Sequence, residues 1–346
     1  MQYNEQQLKD NLIKILNIPS PTGYTDKIMS YIKEDLGSEN IVFKETVKGA
    51  LIISLTGKDD SNQRTFSAHV DTLGAMVRAI KSTGTLSLVP IGGYMMNAID
   101  GENCTISTLN GDDFTGTAQS IKPSVHISGD DARNLKRSPE NMEIILDEKV
   151  FSKEDVEKLG INVGDFISFC TRTRITEKGF VKSRYLDDKA SVAILLFVIK
   201  YLVANKIQLP YTTNFYISNY EEVGHGARAS LPENTKEFIA VDMGAPGLDQ
   251  NSSEYCTCIC ANDSSGPYDY KLRKKLVDLC ITNKIPYKID VYPHYSSDAS
   301  AALGSGWDIK TALIGPGVFA SHAYERTHMD SIIATVDLVL KYCVEL

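Results

Sequence analysis

The chain has 346 residues, 42% of them hydrophobic, and a formal net charge of −8. That length can bury a large core, as two domains or one domain with a substantial insertion. The acidic balance excludes nucleic acid or an anionic membrane as the main partner. The opening Met1-Gln-Tyr-Asn-Glu-Gln-Gln-Leu-Lys9 is polar, with no apolar run long enough for a signal peptide or a spanning helix, so a cytoplasmic protein is expected. Seven scattered cysteines without a Cys-x-x-Cys pair fit reduced thiols better than a disulfide framework.

Residues 5–18 carry apolar side chains at helical spacing and stop at Pro19-Ser-Pro-Thr-Gly23; a second amphipathic helix is predicted over 25–36. Residues 41–47 and 50–55 read as successive strands. A third, over 64–68, ends in His69-Val-Asp71-Thr-Leu-Gly74. From about residue 73 to 177 the texture changes to short strand-like runs at 77–80, 85–89, 101–107, 142–146 and 164–169, with one helical patch at 153–159. The polar stretch 125–140 between them reads as a loop. Strands at this spacing without intervening helices predict a small, barrel-like β domain inserted into something larger.

Helix and strand alternation then resumes. Residues 190–203 are apolar nearly all round and predict a buried helix behind Asp187-Asp188-Lys189. Strands follow at 212–218, ending at Glu221-Glu222-Val-Gly224, at 237–241, ending in Asp242, and at 310–314, followed by Gly315-Pro-Gly-Val-Phe-Ala-Ser-His322. Residues 268–284 and 331–344 read as helices, and 286–292 as a strand. Cys256, Cys258 and Cys260 alternate, which puts three sulfurs on one face of a core strand; three ligands in a straight line cannot surround a tetrahedral ion. The fold class is therefore α/β: a mixed, mostly parallel sheet flanked by helices, formed by 1–72 and 178–346, with 73–177 inserted.

Several polar side chains share one address in this scheme. His69, Glu221, Glu222, Asp242 and His322 each follow a strand directly or after a short loop, and Asp187 directly precedes the buried helix. Parallel strands bring such positions to one edge of the sheet, where ligands bind in open α/β folds. Two imidazoles with several carboxylates suit Zn²⁺, Mn²⁺ or Co²⁺, and two ions sharing a carboxylate are a known solution for hydrolysis. Adjacent side chains leaving a strand diverge, so one of Glu221 and Glu222 can bind metal while the other serves as general base. Asp71 stands two residues after His69, suited to orient its imidazole. Singly, each has a plainer reading; a lone Glu-Glu pair is usually a solvated turn, and Asp187 suits a helix N-cap.

Taken in order, Ala68-His-Val-Asp-Thr-Leu-Gly74, Leu186-Asp-Asp-Lys189, Glu221-Glu-Val-Gly224, Val241-Asp-Met-Gly244, Ser297-Asp-Ala299 and His322 resemble the signature of glutamyl-aminopeptidase-like dinuclear metallopeptidases, the family of the tetrahedral aminopeptidase particles. The resemblance spans nearly the whole chain. It implies a zinc- or cobalt-dependent aminopeptidase, with manganese as a further option, acting on short peptides. It also implies a homo-oligomer whose dimers, joined through the β domain, assemble to a dodecamer. By that resemblance His69 and Asp242 hold one metal, Glu222 and His322 the other, Asp187 bridges, Glu221 is the general base and Asp71 stands behind His69. Asp188 and His328 are the rival choices for Asp187 and His322. A related two-metal deacylase or carboxypeptidase, or a non-catalytic metal-stabilised assembly protein, are the alternative functions.

Overall fold

A computed structural model describes residues 4–39 and 41–345. The chain divides into two compact units, 1–71 with 172–346, and 72–171.

The first unit is built on a nine-stranded sheet. At its centre the strand Gly57–His69 lies between Leu209–Ser218 and Thr235–Val241, and the last of these pairs with Lys310–Pro316; all three pairings are parallel. Antiparallel strands extend both edges, Leu51–Leu55 beside Leu209–Ser218 and Thr257–Asp263 beside Lys310–Pro316. Leu209–Ser218 is buried along nearly its whole length, and the neighbouring strands are buried over 64–69 and 238–241, the ends that approach the site. The helix Leu186–Ala204 is buried over nearly its whole circumference, as its uniformly apolar sequence requires, and packs against the helices Glu5–Leu16 and Met329–Val344 and the strand Gly57–His69. Asn4 caps the first helix by accepting the Gln6 and Gln7 N–H groups. Cys256, Cys258 and Cys260 are all buried, so the alternation is that of a core strand.

The second unit is a closed barrel of Gly74–Ile80, Leu86–Ile91, Asn103–Ser107, Asp113–Ser120, Met142–Leu146 and Phe166–Phe169, filled by residues such as Val77, Leu88, Ile106, Ile144 and Ile167. Closure removes the exposed sheet edges that so small a β unit would otherwise present. Residues 172–177 group with the first unit because Arg174–Ile175 pairs with Phe180–Ser183, which pairs in turn with Glu325–His328.

One sequence expectation is corrected here. Residues 125–140 are not a plain loop but hold short helices, Val125–Ser128 and Asp130–Asn134, and a 3₁₀ turn at Pro139–Asn141. An Asp130–Arg133 ion pair at 2.7 Å, buried Ala132 and the Arg137 guanidinium, which donates to the Ala132 and Leu135 carbonyls, hold this segment together. Its exposed polar faces leave no apolar period to read. Among the described residues no helix is long and apolar enough to cross a membrane.

Candidate metal centre

Register explains the convergence. Ser218 pairs with His69 and Ala240 with Ser67, so the three neighbouring parallel strands end together and release His69, Glu221-Glu222 and Asp242 at one edge. His322 arrives there from the loop after Lys310–Pro316. The chain reaches these positions through backbone in the left-handed region at Tyr185, Tyr220 and His322, with φ of 66°, 65° and 64°. Such angles are uncommon for residues with a Cβ and concentrate where a site demands them.

Asp187 is the hub. Its Oδ1 lies 3.4 Å from His69 Nε2 and its Oδ2 3.4 Å from His322 Nε2, so one carboxylate spans both imidazoles. Glu222 Oε2 is 3.5 Å from His322 Nε2, and Glu221 Oε2 is 3.7 Å from His69 Nε2. His69, Asp187 and Asp242 each offer a ligand atom, all within 4.8 Å of one another. Asp188 turns elsewhere: its Oδ2 accepts the His69 backbone N–H at 3.1 Å. His328 is committed elsewhere too, its Nε2 donating to the Lys178 carbonyl at 2.6 Å and its Nδ1 accepting the Asp330 N–H at 3.1 Å. His225 and His294 are exposed.

Asp71 does more than its spacing suggests. His69 Nδ1 lies 3.0 Å from the Asp71 carbonyl oxygen and 3.5 Å from its Oδ1. The Asp71 carboxylate also accepts the Glu221 N–H at 3.1 Å, the Glu222 N–H at 3.2 Å and the Thr22 hydroxyl at 2.7 Å. The turn beyond the glutamates is fixed from two sides. Lys48 Nζ donates to the His225 and Gly226 carbonyls, and Asp298 Oδ1 accepts the Ala227 N–H at 2.7 Å. A Cβ at Gly226 would overlap Asp298 Oδ1, which is why glycine stands there.

Three further contributors lie outside the predicted site residues. Ser321 donates its hydroxyl to Asp187 Oδ2 at 2.8 Å. Glu325, buried, accepts the Asp187 N–H through Oε2 and the His322 N–H through Oε1, both at 3.1 Å. Tyr295, half-buried, sits with its hydroxyl against Asp242. Glu325 follows His322 by three residues, a spacing that belongs to the family resemblance and favours His322 over His328; Ser321 and Tyr295 lie in loops without such a clue.

Without a cation, the electrostatics of this cluster are poor. Burial, then the charge of Asp187, pushes Glu222 up to about 8 and Asp242 up to about 7. Burial likewise drives Glu221 well above the usual carboxylate range. Asp187 goes the other way: burial opposes ionisation, but hydrogen bonds from His322 and His69 outweigh it and hold the carboxyl far below its ordinary value. His69 is raised, burial being outweighed by Asp187 and Asp71. Glu222 Oε1 is buried without a hydrogen-bond partner. Crowded, buried carboxylates with an orphaned oxygen and two imidazoles are the donor set of a divalent cation, which would supply the charge that protons otherwise must.

The M42 glutamyl aminopeptidase family matches residues 49–338. The chain belongs to this family. It is therefore a peptide hydrolase. The YhfE protein of Bacillus subtilis is 51% identical over 332 residues, 96% of each chain. The glutamyl aminopeptidase of Lactococcus lactis is 26% identical over 240 residues, 68% of this chain and 66% of that one. The TET1 peptidase of Pyrococcus horikoshii, which can assemble into a tetrahedron or a large octahedral shell, superposes with a TM-score of 0.86 at 25% identity, over 98% of this chain and 100% of that one. The α/β unit with its six-stranded barrel is thus the fold of the tetrahedral aminopeptidases.

Proposed function

We propose that the protein is a two-metal aminopeptidase that removes N-terminal residues from short peptides in the cytoplasm. The observation that carries this reading is the Asp187 carboxylate, one oxygen toward each imidazole, with the Glu221–Glu222 pair beside it. His69 and Asp242 would hold one divalent ion and Glu222 and His322 the other, with Asp187 shared. Zinc or cobalt suits this set, manganese less closely. When bound, such ions acidify water and polarise the scissile carbonyl.

The remaining chemistry belongs to the chain. Glu221, left out of the ligand set, takes a proton from the attacking water and delivers it to the departing amine. Asp71 fixes the glutamate turn through its backbone, and Glu325 fixes Asp187 and His322 through theirs. We further propose a homo-oligomer in which dimers, joined through the barrel unit, build a dodecamer, as the assemblies of the TET1 relative suggest.

The test is hydrolysis of free-amine and N-blocked aminoacyl anilides by the protein as purified, after chelation, and after adding zinc, cobalt or manganese. Metal-restored cleavage of the free-amine series supports the reading. Cleavage of the blocked series alone points to a two-metal deacylase instead. No cleavage by protein carrying two metals per chain removes the catalytic role. Light scattering of the same preparation gives the assembly size.

A further inference from the structure

A cavity of about 350 Å³ opens beside the candidate centre, with Glu221 in its wall. Its size lies in the range of small-ligand pockets. Most of its polar lining is hydroxyl, contributed by Tyr268, Ser297 and Ser300 among others, and Asp263 stands within it.

Asp263 is the unusual member. The residue is only 3% exposed. Its Oδ1 accepts the Ser265 N–H at 2.7 Å, and its Oδ2 accepts the Tyr268 hydroxyl at 2.7 Å and the Ser300 hydroxyl as well. All three donors are neutral. Among the described residues no lysine, arginine or histidine forms an ion pair with it. Buried carboxylates are ordinarily paired, and a carboxylate has room for about four hydrogen bonds, so this one, in the cavity wall with three neutral donors, keeps an acceptor position and lacks an ionic partner. Glu221 and buried Asp298 are the other acids in the wall. Arg228 is the opposing charge, but it is exposed, where water and salt screen it far more than they screen Asp263.

We propose that this cavity is the side-chain subsite of the aminopeptidase and that it takes lysine or arginine, whose cationic head pairs with Asp263. The inference rests on the aminopeptidase reading above. A long basic side chain entering past Glu221 lays its apolar stem along Pro267, Ala301 and Leu303 and carries its charge to the hydroxyl-lined acid. A glutamate side chain would instead bring a second carboxylate against Asp263.

The experiment measures kcat/KM of the metal-loaded protein on lysyl, arginyl, methionyl, leucyl and glutamyl 4-nitroanilides, for wild type and for Asp263→Asn. Wild type is expected to favour lysine over methionine, a neutral chain of similar length, by at least about tenfold, the worth of a charge-assisted hydrogen bond. In Asp263→Asn that ratio is expected to fall to within about threefold. A wild-type preference for methionine, leucine or glutamate over lysine overturns the subsite while leaving the peptidase reading intact, and needs no variant to show it. A lysine preference that survives in Asp263→Asn overturns the role of Asp263. Cleavage of no free-amine substrate overturns both readings together.

Discussion

Asp71 holds Glu221 by its backbone: the carboxylate Oδ1 accepts the Glu221 N–H at 3.1 Å, while Oδ2 takes the N–H of Glu222 at 3.2 Å. A single side chain from the end of one strand thereby sets the height of two acids at the end of its neighbour. Asparagine at 71 turns one acceptor into an NH₂ group facing an N–H donor. Asp71→Asn is expected to lower kcat by about a hundredfold, the scale of a misplaced catalytic group, with little change in far-ultraviolet circular dichroism. A kcat within a factor of a few of wild type would show that the turn holds without this clamp.

Glu221 and Asp187 separate chemistry from metal binding. Glu221→Gln is expected to keep the full metal content, read by atomic absorption after gel filtration, while losing at least about a hundredfold in kcat. Asp187→Asn is expected to lose metal and activity together, because the carboxylate between His69 and His322 would be the shared ligand of the proposed centre. Loss of metal from the Glu221 variant would put Glu221 among the ligands.

Glu325 accepts the backbone N–H groups of two candidate ligands, Asp187 and His322. Glu325→Gln keeps one acceptor and turns the other toward an N–H as a donor. Metal affinity, measured by competition with a chromogenic chelator, is expected to fall between about 10- and 100-fold, the range for groups that orient ligands. An unchanged affinity would make Glu325 a packing residue only.

Lys189 gives a pH dependence away from the catalytic step. It is fully buried, its Nζ donates to the Ile18 carbonyl at 2.6 Å, and burial pushes it down to about 7. Unfolded, it binds a proton below about 10.4. Between those values the unfolded chain holds one more proton than the folded one, so this residue makes stability rise with pH. Relative to Lys189→Met, which cannot titrate, metal-free wild type should gain about 2 kcal/mol from pH 7 to pH 9 in urea unfolding. A flat difference would mean that Lys189 stays charged when folded.

His69, Glu222 and Asp242 were legible because each sits within a few residues of a recognisable strand end, and strand ends are where parallel sheets collect ligands. The barrel was legible from its closely spaced short strands. Tyr295 and Ser321 were not, since nothing local marks a loop residue whose partner is 53 positions or more away. The dual hold of Asp71 on Glu221 and Glu222 was missed for a related reason: spacing exposes side-chain neighbours on one strand, whereas this contact runs from a side chain to backbone across strands. The helices over 125–134 escaped because they are only four and five residues long and bury little beyond Ala132, which leaves no hydrophobic period.

The insertion also orders events during synthesis. Every strand of the barrel lies within 72–171, so that unit leaves the ribosome with all its pairing partners in hand. Gly57–His69, although made earlier, has its two sheet neighbours in Leu209–Ser218 and Thr235–Val241, on the far side of the barrel in the chain. Long-range pairing of this kind is slow, and the strand that ends at His69 must stay soluble until its partners emerge. The run Asp59-Asp60-Ser-Asn-Gln-Arg64 in its first half is polar and charged, which guards the waiting strand against association with other nascent chains.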